Sequence, residues 1–151
     1  MTLILIPLVF LADQWTKCLV LAHFRDGGGP LEVLPFFNII LTYNRGISFS
    51  LFHTDSAVGF WILTAIIAGF LLFLCRWYLQ EKARLPKTCL GLIIGAALGN
   101  LYDRVTLGGV VDFLDLHWGT AHFATFNLAD SFISVSAILL SLYVFTKKEK
   151  K

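Results

Sequence analysis

The residues able to do chemistry are Asp103, Asp112 and Asp130, with Asn100, Arg104 and Asn127 beside them. Two carboxylates a few ångströms apart cannot both ionise easily, so they share a proton. One can then activate water while the other protonates a leaving group. That is the aspartic-protease arrangement, and it needs no metal and no covalent nucleophile. Competing hydrolytic chemistries lack their residues. The chain has no HExxH zinc motif and no GxSxG elbow. His23, His53, His117 and His122 lie outside the long apolar segments. Cys18, Cys75 and Cys89 have no CxxC or Cys/His spacing, so they read as packing residues without a disulfide framework. No cofactor is implied.

These residues need elements that hold them together, and composition identifies the elements. Of 151 residues, 57% are hydrophobic and only 15% are charged. About 25% charge is usual in a soluble domain. A fold this small could not hide so much apolar surface in water, whereas a bilayer accepts it as solvent. Four apolar segments are long enough to span, over roughly 2–22, 57–78, 87–105 and 127–146. The first is retained as a span, since it lacks a basic n-region and a small-residue cleavage site. Asp13 and Lys17 interrupt it as i,i+4 neighbours on one helix face. Trp61 lies near one end of the second, with Trp77 and Tyr78 near the other as an aromatic belt. Pro86 marks the start of the third, in which Gly91, Gly95 and Gly99 line one face for close helix packing.

Between the spans lie segments too short to cross. Pro35–Phe52 is rich in β-branched and aromatic residues and reads as strands, after a break at Gly27-Gly28-Gly29-Pro30. Gly108–Trp118 reads as a turn and then a strand. The expected fold is therefore an all-α membrane protein: a four-helix transmembrane bundle in one domain, with a small extracytoplasmic β element resting on the membrane. Arg76, Lys82, Arg84 and Lys87 cluster between the second and third spans, and Lys147, Lys148, Lys150 and Lys151 form a basic tail. The positive-inside rule then makes both termini cytoplasmic and puts the strand-bearing segments on the far face. The net charge of +2 implies no nucleic-acid partner.

This placement confines the polar residues to one level. At 1.5 Å per residue, Asp103 sits ~24 Å above Lys87, near the outer edge of a ~30 Å core. Asp130 opens the fourth helix at that edge, and Asp112 lies in the segment joining the two helix ends. Plainer roles stand beside the catalytic ones. Asn127 and Asp130 have the spacing of a helix cap. Asp112 could sit on a solvated strand, and Asp115 should face solvent there. Asp103 reads as an ion-pair partner of Arg104, and Asp13 as interhelical glue. Asn44 and Gly46 have turn chemistry, and Arg104 could snorkel to headgroups.

At this point the residues resemble a family. DQWTK (Asp13–Lys17), TYNRGISFSLF (Thr42–Phe52), GAALGNLYDR (Gly95–Arg104), VVDFLD (Val110–Asp115) and FNLAD (Phe126–Asp130) are similar, in order, to the signature blocks of lipoprotein signal peptidase, or signal peptidase II. The resemblance implies an intramembrane aspartic endopeptidase of the bacterial inner membrane. Its substrates would be prolipoproteins, cut just before the diacylglyceryl-modified cysteine. It implies Asp112 and Asp130 as the catalytic pair, with Asp13, Asn44, Gly46, Asn100, Asp103, Arg104, Asn127 and Ala129 in support. It implies a membrane-lipid environment, no metal and no cofactor, and a monomer is expected. One departure is Ile47, where the family more often carries a small residue. A transporter relay through Asp13, Asp103 and Arg104 fits less well, because the polar groups share one rim and no inverted repeat is visible. A non-catalytic assembly subunit would use the glycine face but would not need Asp112 and Asp130 together.

Overall fold

The computed structural model describes residues 2–46 and 57–148. Among them are four long helices: α1 (Leu5–Arg25), α2 (Ala57–Gln80), α3 (Arg84–Leu107) and α4 (Leu128–Lys148). Each is long and apolar enough to cross a membrane. Four strands, β1 (Leu31–Leu34), β2 (Phe37–Asn44), β3 (Val110–Trp118) and β4 (Ala121–His122), form one antiparallel sheet in the order β1-β2-β3-β4. The architecture is the expected helical membrane bundle with a small sheet. Ile47 and His53 lie outside the described residues.

Helix α3 is the centre, packing against α1, α2 and α4. Its Cys89, Leu90, Ile93 and Ile94 meet Leu71, Leu74 and Tyr78 of α2 and Leu140 of α4. Large side chains such as Ile66, Phe70, Leu72 and Leu79 point outward from α2, as lipid-facing residues do. The glycine face of α3 meets α1. A Cβ at Gly95 would stand 2.5 Å from the Ile6 carbonyl oxygen and 3.0 Å from Val9 Cβ. A Cβ at Gly99 would collide with the Asp13 carboxylate. Packing and polar chemistry therefore share this stripe: the missing side chain at Gly99 is the space that Asp13 fills.

Several local expectations change. Helix α3 begins at Arg84, so Pro86 sits inside the first turn, where a helical N–H has no acceptor to lose. The basic residues between the second and third spans straddle helix ends, and the connection is only residues 81–83. Tyr78 does not belong to an outer belt. It is buried, its hydroxyl 3.0 Å from Thr2 Oγ1, with Lys87 Nζ 5.0 Å from the ring centre. Cys89 packs in the core, whereas Cys18 faces outward from α1.

Strand β1 precedes the segment expected to form strands. It pairs with β2 across a short Pro35-Phe36 connection. The β2–β3 ladder carries an irregularity that matters more. Ile39 faces Leu114, but Thr42 faces Asp112, so β2 spends one extra residue between them. Side chains alternate between faces, so an extra residue flips the parity of the residues beyond it. Asn38 thereby shares a face with Asp115, and Asn44 shares a face with Asp112. Each carboxylate receives one β2 amide: Asn38 Nδ2 donates to Asp115 Oδ2 at 3.1 Å, and Asn44 Nδ2 donates to Asp112 Oδ2 at 3.0 Å.

The α1–α3 contact yields a direct test. Gly95→Ala should lower unfolding stability by about 1–3 kcal/mol through overpacking. Gly69→Ala on α2, with nothing within 4 Å of the added Cβ, should leave it unchanged or slightly higher. Thermal unfolding in detergent compares the two. Equal stability of both variants would refute the close-approach account.

Candidate active site

Three features of local sequence bring the carboxylates together. Helix α3 ends at Gly108, whose φ of 71° is the left-handed conformation that closes a helix, and its N–H bonds to the Arg104 carbonyl. The chain then reverses into β3, which carries Asp112. Phe126 is tied to β3 in both directions: its carbonyl accepts from the Phe113 and Leu114 N–H groups, and its N–H donates to the Leu114 carbonyl. That bridge fixes the start of α4 beside β3. Asn127 then caps α4. Its Oδ1 accepts the Asp130 N–H at 2.9 Å, while Asp130 Oδ2 accepts the Asn127 N–H at 3.2 Å. This reciprocal box is the capping role expected for the pair. The same contacts hold Asp130 at a cavity that Asp112 also lines.

Asp112 Oδ1 accepts from Asn127 Nδ2 at 2.7 Å, and its Oδ2 accepts from Asn44. Asp130 Oδ1 accepts from Asn100 Nδ2 at 3.0 Å. Both carboxylates line one cavity of about 130 Å³, together with Asn44, Asn100 and Arg104. Asp112 is buried on β3 and not on a solvated strand. Burial pushes its carboxyl up, and the Asp130 charge adds to the effect, reaching about 7 against the opposing donors Asn44 and Asn127. Such a group sits near neutrality, where acid–base catalysis is most efficient.

Behind the cavity lies a second polar layer. Lys17 is fully buried, with Nζ 2.7 Å from Asp13 Oδ2, 2.8 Å from Asp103 Oδ2 and 2.8 Å from Asn100 Oδ1. Asp13 Oδ1 accepts the Ala129 N–H at 3.1 Å, so Asp13 also satisfies a donor at the start of α4. Asp103 Oδ1 accepts from Gln14 Nε2 at 2.9 Å, and Asp103 Oδ2 accepts the Val111 N–H at 3.1 Å. All ten residues singled out from the sequence thus fall in or against one cluster, with Gly46 accepting a hydrogen bond from Arg104 Nη2 through its carbonyl.

Two pairings differ from expectation. Asp103 pairs with Lys17 and not with Arg104, although Asp103 and Arg104 are adjacent. Successive residues point about 100° apart around a helix, so neighbours rarely meet. The Arg104 guanidinium instead lies 5.9 Å from the Phe60 ring centre, and its Nη1 finds no partner among the described residues. Asp115 does not face solvent. It is buried against Asn38 and His122 Nδ1, the latter 2.9 Å from Oδ1. Burial acts to raise its carboxyl, but these hydrogen bonds outweigh that and hold it below the usual value. Lys17 and Gln14 join the site without being expected there. The signal was present in Lys17, an ionisable residue inside an apolar span, which is functional by default.

Known proteins share this sequence and this fold. The family described as signal peptidase (SPase) II matches residues 5–146. The lipoprotein signal peptidase of Shewanella amazonensis is 42% identical over 142 residues, covering 93% of this chain and 84% of that protein. That of Aeromonas hydrophila is 38% identical over 146 residues, covering 95% and 87%. A solved bacterial membrane enzyme structure, determined by the in meso method at 2.3 Å resolution, superposes with a TM-score of 0.80 at 28% identity. It covers 99% of this chain and 90% of that one. A second such structure, at 1.9 Å, gives 0.71 at 29% identity, covering 95% and 91%.

The raised Asp112 carboxyl has a consequence for stability. Its folded value of about 7 lies above the unfolded value of 3.8, so the folded state binds the extra proton between them. Stability from this group is therefore greatest below about pH 4 and declines as pH rises toward 7. Asp112→Asn removes the penalty while keeping an acceptor for Asn127 or Asn44. The variant should be more stable than the parent at pH 8, by on the order of a few kcal/mol, and no more stable near pH 4. Unfolding midpoints at the two pH values measure this. A constant difference across pH would show that Asp112 titrates normally.

Proposed function

From the premise that this chain belongs to the signal peptidase II family, we propose that it is an aspartic endopeptidase with Asp112 and Asp130 as its catalytic pair. The family supports the coarser reading, a multi-pass membrane peptidase that removes signal peptides from lipoproteins. The observation that carries the finer one is the shared cavity, which both carboxyls line with Asn44, Asn100 and Arg104.

The reaction follows from one proton held between two carboxyls. In this reading Asp130, held in its capping box at the start of α4, starts as the ionised member. Asp112, whose carboxyl burial and the neighbouring Asp130 charge push up to about 7, starts as the protonated member in this reading. As water attacks the scissile carbonyl carbon, Asp130 takes its proton and Asp112 gives its proton to the carbonyl oxygen. In the resulting gem-diol, Asp112 recovers a proton from a hydroxyl while Asp130 protonates the leaving nitrogen. The C–N bond breaks and the pair returns to its starting charge. Arg104 and Asn44 are the candidates to hold the substrate backbone or its lipid ester carbonyls. Water activation is assigned to a carboxylate, so no metal is required.

The substrate in this reading is a prolipoprotein, cut just before its diacylglyceryl-modified cysteine. A groove of about 350 Å³ is lined by Asp130, Ile133 and Val135 of α4 together with Leu116, Phe123 and Phe126. Its apolar walls suit an acyl chain beside the scissile bond. The protein works in the bacterial inner membrane as a monomer, with both termini cytoplasmic and the sheet outside.

Two assays test the reading. Asp112→Asn and Asp130→Asn should each abolish cleavage of a diacylglyceryl-modified precursor while leaving folded protein that binds it. The double variant should be little worse than either, because groups acting as a unit are not additive. Substantial turnover by either single variant would move the chemistry elsewhere. Second, an unlipidated precursor should be cleaved at least about a hundredfold more slowly, since remote binding energy positions the bond. Equal rates would remove the groove from the account.

A further inference from the structure

We propose that Lys17 is a positioning residue for the reaction, whose buried ammonium sets the direction of the amide hydrogen bonds aimed at both catalytic carboxyls. This rests on the reading of Asp112 and Asp130 as the reacting pair, and it adds a residue outside their cavity.

An ammonium has three donors and no acceptor. Those of Lys17 are used on Asp13, Asp103 and Asn100. A carboxamide can turn either its oxygen or its nitrogen toward a neighbour, but toward an ammonium only the oxygen is tolerated. With Oδ1 held on Lys17, Asn100 must turn Nδ2 the other way, and there it donates to Asp130 Oδ1. The same Asn100 oxygen accepts from Asn127 Nδ2 at 3.1 Å. That nitrogen also donates to Asp112 Oδ1 at 2.7 Å. Asn127 is held from its other side, where Oδ1 accepts the Asp130 N–H. One cation therefore fixes the polarity of a chain that ends on both carboxyls.

The neighbouring charges are Asp13 on the same helix, Asp103 and Arg104 on α3, Asp112 on β3 and Asp130 on α4. If Lys17 only neutralised Asp13 and Asp103, removing one cation and one anion together would restore function. If it orients Asn100, that repair would restore folding but not rate, because the amide would be free to turn over.

The test compares Lys17→Met, Lys17→Met/Asp103→Asn and Asp112→Asn as purified full-length proteins. Cleavage of a diacylglyceryl-modified precursor is followed from about pH 5 to about pH 9, with the folded fraction taken from thermal unfolding. Per folded molecule, Lys17→Met should lose about 10- to 100-fold in kcat with KM within about threefold. The acid limb of its kcat profile should move up by about one pH unit, since the cation no longer favours the ionised carboxylate. The double variant decides the matter if the single one does not fold. Its kcat should stay low although no Asp103 charge is left unpaired. Wild-type kcat in the double variant, a wild-type rate and profile in the single one, or failure of the double to fold would each overturn the proposal and make Lys17 purely structural. Turnover by Asp112→Asn would instead overturn the reading of the catalytic pair, so the two failures are distinguishable.

Discussion

An ammonium taken out of water sets the terms at one rim of this bundle. Burying an isolated charge costs several kcal/mol even after relaxation, and attraction offsets that only where geometry is good and every donor is used. Lys17 meets the condition with two carboxylates and one amide oxygen. Each partner is then committed on that side. Asp13 turns its second oxygen to the start of α4, and Asp103 turns toward Gln14 and β3. The pairing around Lys17 thus locks α1, α3, α4 and β3 into one arrangement. Gly95 and Gly99 fix where α3 meets α1, and the polar contacts around Lys17 tie that pair to α4 and β3.

At the start of α4 one carboxylate can serve both the cap and the proposed reaction. Asp130 closes a reciprocal cap with Asn127, and a residue held there by two backbone bonds has little freedom left. A reacting group needs that rigidity. Its remaining oxygen faces Asn100 and the cavity. The capping interpretation and the catalytic one describe two oxygens of the same carboxylate.

Much of this is legible in the sequence. The number of spans follows from apolar runs, and the shared level of Asp103, Asp112 and Asp130 follows from helix rise and bilayer thickness. Partner choice is not legible. Whether Asp103 meets Arg104 or Lys17 depends on how α1 and α3 are rotated against each other. That rotation is set by where Gly95 and Gly99 permit contact. The extra residue in β2 leaves no mark in the sequence, yet it decides that Asn44 serves Asp112 while Asn38 serves Asp115. Asp115 reads as a surface residue because strand alternation assumes one wet face. Here the hairpin carrying His122 covers it. The short exposed strand β1 offers too little periodicity to read.

In the proposed reading, the depth of the site is what suits this chemistry to neutral pH. An exposed carboxyl titrates near 4 and would be a poor acid in neutral surroundings. Enclosing Asp112 beneath a sheet and between helix ends removes the water that stabilises its charge, and a second carboxylate nearby penalises ionisation further. The amide donors Asn44 and Asn127 pull the other way, keeping the group from rising so far that it could never give up its proton. They do so as neutral dipoles. A cation in direct contact with Asp112 would hold it ionised and end its use as an acid. In this arrangement the full positive charge of Lys17 stands one amide from Asp130 and two from Asp112, too far to take the proton's place.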